Sequence, residues 1–284
     1  MRAENHTPGR EPLDAAGLRR AAVRPDGLWR EIEVVPSTGS TNADLLARAL
    51  RGEPEGVVLA AEEQTAGRGR MGRSWTSPRY AALTFSLLIR PDVPPARRGW
   101  LPLLTGVAVA AAVTTVTGVP ARLKWPNDVL AGQAKLAGIL AEAAGDAIVV
   151  GIGLNVSTEP AELSRLPAGP GPGALPATSL PATSLRAAGA TALNREKLLL
   201  AILTGFERWY QAWRQAGGDP DRSGLRPEYV SRSATIGRTV RAELPGGQAL
   251  SGPAAGVDSD GRLLVRVSSG AEVPVAAADV VHLR

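Results

Sequence analysis

The chain has 284 residues, of which 44% are hydrophobic and 21% charged, a balance that is ordinary for a folded globular protein of one large and one small domain. It has no cysteine, and its two histidines, His6 and His282, lie near the ends of the chain. These counts exclude disulfides, zinc–thiolate sites and cysteine nucleophiles, and they argue against histidine acid–base catalysis. The net charge of +5 suits an anionic ligand, yet no run of five basic residues indicates a nucleic-acid-binding segment.

The first elements along the chain follow a polar start. Residues 1–29 carry three prolines and predict a flexible N-terminal segment. The stretch LWREIEVVPS then alternates like a strand, and STNADLLARALRG begins with helix-capping residues and places Leu45, Leu46 and Leu50 at helical spacing. GVVLAAEEQ and ALTFSLLIRP predict two further strands, the first of which leads into an arginine-rich loop.

The longest apolar segment is LPLLTGVAVAAAVTTVTG, residues 101–118. Proline, threonine and glycine interrupt it, and the N-terminus lacks the apolar core of a signal peptide. It therefore predicts a buried helix, and we expect a cytoplasmic protein with no role at a membrane.

The second half begins with several strands separated by turns over residues 121–157. Residues 157–190 are rich in proline and glycine and duplicate the sequence PATSL, which predicts a mobile loop. NREKLLLAILTGFERWYQAWRQAGG predicts an amphipathic helix with Leu198, Ile202, Phe206 and Trp209 on one face.

From residue 225 onward, short β runs joined by turns predict a small barrel. The fold class is thus α+β: a flexible segment over 1–29, a domain of mixed β-sheet and helices over 30–224, and a small β-barrel domain over 225–284.

The arginine-rich loop EEQTAGRGRMGRSW is the first candidate site. Its three glycines allow a close backbone approach to a ligand, and Arg68, Arg70 and Arg73 can fork onto phosphate or carboxylate oxygens. A solvated basic loop is the structural alternative, against which Trp75 argues because an exposed loop has little use for an indole. The chain has neither a Walker A motif nor a dinucleotide-binding fingerprint.

Two further motifs are weaker by themselves. In LKWPNDVL and KLAGIL, the charged residues Lys124, Asp128 and Lys135 interrupt apolar strands, which favours a site, although the Asn–Asp pair beside Pro126 is commonly only a turn. In GIGLNVS, Gly151 and Gly153 indicate a bulge or a close backbone contact.

In this order, GSTNADLLA, EEQTAGRGRMGRSW, KWPND, KLAGIL, GIGLNV and ATSL resemble the biotin protein ligase family over residues 33–215. The segment after residue 225 resembles that family's SH3-like C-terminal domain. Such a resemblance implies an ATP-dependent enzyme that joins biotin to ATP as biotinyl-5′-AMP and transfers biotin to one lysine of a biotin carboxyl carrier domain. Concentrated positive charge is what this chemistry requires, because a carboxylate must attack a phosphate.

The resemblance also implies roles for individual residues. Lys135, Arg70 and Asp128 are the expected catalytic residues, and Asp128 is the expected ligand of Mg²⁺. The residues expected to bind biotin are Ser40, Thr41, Asn42, Gln64, Gly67, Arg68, Lys135, Gly138 and Gly153. The residues expected to bind ATP or the adenylate are Arg68, Gly69, Arg70, Arg73, Trp75, Asn127 and Asn155.

Some members of the family carry an N-terminal helix-turn-helix, for which 29 polar residues are too short, so we expect a ligase-only form that does not bind DNA. A lipoate or octanoyl ligase is the nearest alternative enzyme, and a nucleic-acid-binding protein is the alternative of another class. The sequence leaves open the acceptor protein, the oligomeric state, the general base for the acceptor lysine, and the roles of the PATSL duplication and the N-terminal segment.

Overall fold

The computed structural model describes residues 10–164, 180–244, 248–276 and 278–283. Its larger part is built on a seven-stranded sheet of order β1-β2-β3-β7-β6-β5-β4. The strands are β1 (Glu31–Val35), β2 (Val57–Ala61), β3 (Ala82–Ile89), β4 (Ala121–Lys124), β5 (Asp128–Ala131), β6 (Ala134–Ala144) and β7 (Ala147–Asn155). Only β1 and β2 pair in parallel; every other neighbouring pair in this sheet is antiparallel.

Helices cover both faces of this sheet. They are α1 (Ala15–Ala22), α2 (Thr41–Leu50), α3 (Trp100–Thr117), α4 (Pro160–Leu163), α5 (Arg195–Gln215) and α6 (Leu225–Arg232). The helix α2 makes the crossover between the parallel strands and packs on Val57 and Leu59, whereas Val58 and Ala60 point into the main core on the other face. This alternation is the two-residue period of a strand with both faces buried.

The apolar segment at 101–118 forms the helix α3, as predicted. By length and composition the helix could cross a membrane, but 67% of its most apolar window is buried inside the fold. It packs against α5, α6 and the strands β4, β5 and β6. It ends at Gly118, whose φ of 74° is the left-handed conformation that favours glycine at a helix C-terminus.

The N-terminal segment differs from the prediction. Residues 1–9 lie outside the described part, but the rest of the segment is folded: it contains α1, and Leu18 and Trp29 are buried in the core. The reason is a set of polar contacts with distant residues: Arg10 forms an ion pair with Glu162, and the backbone N–H of Leu13 donates to Glu62 at 2.6 Å. The proline content of the segment could not indicate these partners, because they are distant in the sequence.

The proline- and glycine-rich stretch is described only at its two ends. The first PATSL copy, at 176–180, lies outside the described residues except for Leu180. The second copy, 181–185, runs parallel beside β6, where the backbone of Lys135 accepts from Thr183 and donates to Pro181, each at 2.8 Å. The described end of the predicted mobile loop is therefore packed against the sheet.

The C-terminal strands form a separate five-stranded antiparallel sheet of order β11-β10-β9-β8-β12. They are β8 (Thr239–Glu243), β9 (Ala249–Val257), β10 (Leu263–Arg266), β11 (Glu272–Val275) and β12 (Asp279–His282). This arrangement, together with the mixed sheet and its helices, confirms the predicted α+β class and is compatible with an SH3-like fold. The sequence analysis did not predict α6, which precedes this sheet and packs on α3 and β4.

Two buried tryptophans join the C-terminal sheet to the larger part. The indole N–H of Trp125 donates to the carbonyl of Gly261 at 3.0 Å, and that of Trp100 donates to the carbonyl of Ser259 at 3.1 Å. The backbone is close here as well, because a Cβ on Gly99 would lie 2.2 Å from the carbonyl oxygen of Asp260. The turn before β10 is thus fixed against the start of α3.

Candidate active site

A cavity lies between the arginine-rich loop and the strands β5, β6 and β7. Its two ends differ in chemistry. One end is lined by uncharged polar side chains: Ser40, Thr41, Asn42 and Gln64. The other end is lined by Arg70, Arg73, Lys124 and Lys135 and by two carboxylates, Asp128 and Asp279; Arg68 is a fifth cation that lines the cavity.

The uncharged end is built at the start of α2. Ser40 caps this helix, and its Oγ accepts from the backbone N–H of Ala43 at 3.4 Å. Gln64 follows β2 and accepts the backbone N–H of Thr41 through Oε1 at 2.8 Å. The helix start and the loop after β2 therefore hold each other, and all three residues present buried or half-buried polar groups to the cavity.

The middle of the cavity is a slot between Trp75 and two strand glycines. A Cβ on Gly153 would lie 2.3 Å from Trp75 Cε2, and one on Gly138 would lie 3.5 Å from Trp75 Cζ3. A side chain on Gly153 would therefore displace the indole, whereas a Cβ on Gly138 would only touch it. The Nε1 of Trp75 is buried without a hydrogen-bond partner among the described residues, so a bound ligand can accept from it.

The arginine-rich loop is a hairpin that folds back on itself. The N–H of Gly69 donates to the carbonyl of Arg73 at 2.7 Å, and the N–H of Trp75 donates to that of Gly67 at 2.9 Å. At its tip, Met71 has a φ of 55° and Gly72 a φ of 72°, which turns the chain sharply. All three arginines of this hairpin line the cavity.

The cationic end combines side chains from the loop and from the strands β4, β5 and β6. Lys135 Nζ lies 2.6 Å from Asp128 Oδ1, and Arg70 donates to Asn127 Oδ1 at 3.2 Å. Burial lowers the pKa of Arg70 below its usual range, although Asp279 and Asp128 oppose this shift. A guanidinium remains charged at every physiological pH, so Arg70 is a permanent cation in the cavity.

Lys124 is the most unusual of these cations. Its side chain is only 7% exposed, and within the described residues it has neither a hydrogen bond nor an ion pair. Burial lowers its pKa, while the negative charge of Asp128 raises it. A buried ammonium without a partner is costly, and an anionic ligand in the cavity would supply the missing charge. The sequence pattern indicated that this lysine lies in a site but did not indicate a ligand for it.

The C-terminal sheet also contributes to the cavity, which the sequence did not predict. Asp279 and Val280, at the start of β12, line it, and Asp279 forms an ion pair with Arg73. The two residues are 206 positions apart in the sequence. No local pattern in the chain could signal such a contact.

Most of the predicted site residues meet at this cavity. Two do not line it: Gly67 lies behind Trp75, and Asn155 is buried, where its Nδ2 donates to the carbonyl of Thr183 at 2.9 Å. Asn155 thus supports the second PATSL copy, and Leu180, which directly precedes that copy, lines the cavity. The further lining residues that the sequence did not single out for binding are Ser74, Thr84, Phe85, Lys124, Pro126, Ile139, Leu140, Gly151, Ile152, Leu180, Asp279 and Val280.

A larger open groove of about 1010 Å³ adjoins the cavity. The two share the arginine-rich loop and Asn127, and the groove extends to the turn 260–262 of the C-terminal sheet. The cavity therefore has a broad mouth that faces both parts of the molecule.

Two family models match the chain. The model of the "Biotin/lipoate A/B protein ligase family" matches residues 32–158, and the model of the "Biotin protein ligase C terminal domain" matches residues 235–283. The first range contains all of the predicted site residues, and the second contains Asp279.

Curated relatives are similar over most of the chain. A biotin–[acetyl-CoA-carboxylase] ligase of Mycobacterium tuberculosis is 45% identical over 280 residues, which cover 97% of each chain. The bifunctional ligase/repressor BirA of Bacillus subtilis is 33% identical over 257 residues, which cover 87% of this chain and 72% of that protein.

Solved structures share the fold. The biotin protein ligase of Aquifex aeolicus in complex with biotin and ATP superposes with a TM-score of 0.68 at 25% sequence identity, and the match covers 90% of this chain and all of that one.

Proposed function

This chain belongs to the biotin protein ligase family, and from that premise we propose that it activates biotin with ATP to biotinyl-5′-AMP and transfers the biotinyl group to a lysine of a biotin carboxyl carrier domain. The observation that carries the proposal is the division of one cavity into an uncharged polar end and a cationic end. Biotin has the same division, with a cyclic urea at one end and a carboxylate at the other.

The first step joins two anions. A biotin carboxylate oxygen attacks the α-phosphorus of ATP, the bond from that phosphorus to the β-phosphate oxygen breaks, and pyrophosphate leaves with its electron pair. Five cations against two carboxylates give the cavity a surplus of positive charge that offsets the repulsion between the reactants. Lys135 and Lys124 lie on the strands, and the three arginines lie on the hairpin above.

There is a chemical reason for lysine rather than arginine at these two strand positions. The chain has three lysines among its 32 basic residues, and two of them line this cavity. An ammonium is a compact point charge that can approach a phosphoryl oxygen between apolar strand neighbours, where a planar guanidinium needs more room. We assign Lys135 and Lys124 to the carboxylate and phosphate oxygens that gain charge as the adenylate forms.

The residues of this site could hold magnesium only when it is bound together with ATP. Among the described residues no group of three His, Cys, Asp or Glu side chains could hold a metal ion. One carboxylate is nevertheless available, since Asp128 Oδ1 is buried and has no well-directed hydrogen bond, although Lys135 Nζ lies near it. Mg²⁺ usually takes one or two carboxylates together with substrate phosphates, so Asp128 would hold it and the ion would neutralise phosphate charge.

The second step is the transfer to the carrier. The neutral amine of the acceptor lysine attacks the carbonyl carbon of the mixed anhydride, one amine proton passes to water, and AMP leaves with the electron pair of the broken carbon–oxygen bond. We propose that the carrier domain reaches the adenylate through the larger groove, because that groove opens onto the arginine-rich hairpin and the turn 260–262. All substrates of these steps are found in the cytoplasm, where we place the reaction.

Biotin-dependent exchange of labelled pyrophosphate into ATP tests the first step. We expect exchange with biotin and none with lipoate or octanoate, and we expect a biotin carrier domain with its acceptor lysine replaced by arginine to remain unlabelled. Exchange with lipoate in place of biotin would instead favour the lipoate branch of the same family.

A further inference from the structure

A line of polar contacts runs behind the uncharged end of the cavity. Its members are Gln64, Thr41, Ser86, Asn42 and Glu142. Thr41 Oγ1 lies 3.0 Å from Gln64 Oε1 and 2.7 Å from Ser86 Oγ, and Ser86 Oγ lies 2.6 Å from Asn42 Oδ1. Asn42 Nδ2 lies 2.7 Å from Glu142 Oε2. Of these five residues, Ser86 and Glu142 do not line the cavity.

Glu142 fixes the orientation of the Asn42 amide. The Nδ2 of Asn42 faces two groups that can only accept, the ionised carboxylate of Glu142 and the carbonyl oxygen of Leu140 at 3.2 Å. Both N–H bonds of the amide are therefore used. The carbonyl oxygen must point the other way, toward Ser86 and toward Gly151, where a Cβ would come within 2.2 Å of it.

The orientation of the Asn42 amide also fixes the directions of the hydrogen bonds that the hydroxyl groups of Ser86 and Thr41 donate. The Ser86 hydroxyl donates to Asn42 Oδ1, because an amide oxygen cannot donate. Ser86 must then accept from Thr41, whose single proton is shared between Ser86 Oγ at 2.7 Å and Gln64 Oε1 at 3.0 Å and is not available to a ligand. Gln64 Oε1 is still held by the backbone N–H of Thr41 at 2.8 Å, and the 3.0 Å contact between Thr41 Oγ1 and Gln64 Oε1 is the longest in the line.

As a result, the side chains of Asn42 and Thr41 at this wall of the cavity offer hydrogen-bond acceptors and no donors to a ligand. Asn42 has no N–H left for a ligand and offers only a lone pair of its carbonyl oxygen, and Thr41 likewise offers oxygen lone pairs. A ligand that meets this wall must donate hydrogen bonds, and one that presents an acceptor leaves buried lone pairs facing each other, which is strongly unfavourable.

We propose that Glu142 is a positioning residue that acts through Asn42 and makes this wall specific for a ligand with N–H donors. Given the proposed function, on which this inference rests, those donors are the ureido N–H groups of biotin. Glu142 does not line the cavity itself; it is a lining residue of the larger groove, and its carboxylate contacts Asn42. Selection for the cyclic urea is thus set by a residue that does not touch it.

The test is Glu142→Gln in the full chain. The new amide can donate as well as accept, so one of the two acceptors that orient the Asn42 amide is lost, and only the longer contact with the carbonyl oxygen of Leu140 at 3.2 Å still holds it. Affinities are measured by calorimetry for biotin and for the two cyclic carbamate analogues in which one ureido N–H is replaced by oxygen. Glu272→Gln, at an exposed position of the C-terminal sheet, is the matched control.

We expect the biotin Kd to rise about tenfold in Glu142→Gln, while one carbamate analogue changes less than about twofold, so that discrimination between the two ligands falls. At saturating biotin, the exchange rate should be unchanged, because the cationic end is intact. Ser86→Ala removes the opposite constraint on Asn42 and should lower the same discrimination, which keeps the test decisive if Glu142→Gln fails to fold.

Equal weakening of biotin and both analogues, or unchanged affinities in both variants, would overturn the inference. These results are distinguishable from a failure of the proposed function, because in that case the unaltered chain itself would neither bind biotin nor catalyse exchange.

Discussion

Buried charge occurs in two regions of the molecule, and the regions differ in how it is balanced. Where the N-terminal segment meets the sheet, Arg195 and Glu62 form an ion pair at 2.6 Å, and Arg195 also donates to the carbonyl of Ala82. In the cavity, five cations face two carboxylates, and Lys124 has no partner among the described residues. Matched charge holds chain segments together, whereas unmatched charge is retained because a ligand completes it.

We therefore expect that removing a cation of the cavity lowers the catalytic rate, whereas removing Arg195 or Glu62 lowers the free energy of unfolding. Four substitutions or conditions test this difference, beginning with the largest effect.

Lys135→Ala should lower the rate of biotin-dependent pyrophosphate exchange about 1,000-fold, because it removes a positive charge at the site where charge develops in the transition state. The free energy of unfolding should change little, since the side chain is only part-buried. Exchange kinetics and urea unfolding are measured on the same preparation. Lys197→Ala, an exposed lysine on α5, is the control. A folded Lys135→Ala variant with normal exchange would remove this residue from the mechanism.

Arg195→Met should lower the free energy of unfolding by about 3 kcal/mol or more, because Glu62 is left buried without its partner. The KM values of the folded fraction should stay unchanged, as neither residue lines the cavity. The double variant Glu62→Gln with Arg195→Met should recover part of the stability. Urea denaturation of the single and double variants measures this; an equal loss in both would mean that packing, not charge, holds the segment.

Lys124→Met should lower the exchange rate about 30-fold, with the larger effect on ATP, and should leave stability equal or increased. Removing an unpaired buried charge removes the free-energy cost of its desolvation, so the free energy of unfolding should not fall. The direction of the stability change therefore distinguishes a ligand-binding lysine from a structural one. Steady-state exchange and thermal unfolding provide the two measurements. A variant that is both destabilised and fully active would place Lys124 with the matched charges.

The smallest effect concerns the pH dependence of the C-terminal sheet. Burial, with the positive charges of Lys124 and Arg238, lowers the pKa of His282 to about 4, from 6.5 in the unfolded chain. Between these values the folded state holds fewer protons, so the free energy of unfolding falls as the pH drops through 6.5 toward 4. Because His282 is half-buried, we expect a loss of about 1 kcal/mol between pH 7 and pH 5.

His282→Gln should remove that part of the pH dependence while keeping a polar partner for Thr235, whose hydroxyl lies 3.1 Å from the imidazole Nε2. Urea unfolding at pH 7 and pH 5 measures the difference. The same slope in both proteins would assign the pH dependence to other groups.

Local patterns in the sequence determined much of this protein. Alternating and buried apolar runs predicted the strands of the larger sheet, and capping residues with helical spacing predicted α2, α3 and α5, because these signals depend only on near neighbours. The motifs also placed Ser40, Thr41, Gln64, the arginine hairpin and Lys135, whose side chains do meet at one cavity.

Only the tertiary structure decided the rest. The folding of residues 10–29, the contribution of Asp279 to the cavity, and the line from Thr41 through Ser86 and Asn42 to Glu142 all depend on pairs that are distant in the sequence. Such contacts produce no periodic pattern in the sequence, because the pairing of a buried carboxylate with its partner depends on their distance in the folded protein and on the exclusion of water. The sequence by itself thus determined most of the polar and charged residues that meet at the cavity; the fold decided which way their hydrogen bonds point.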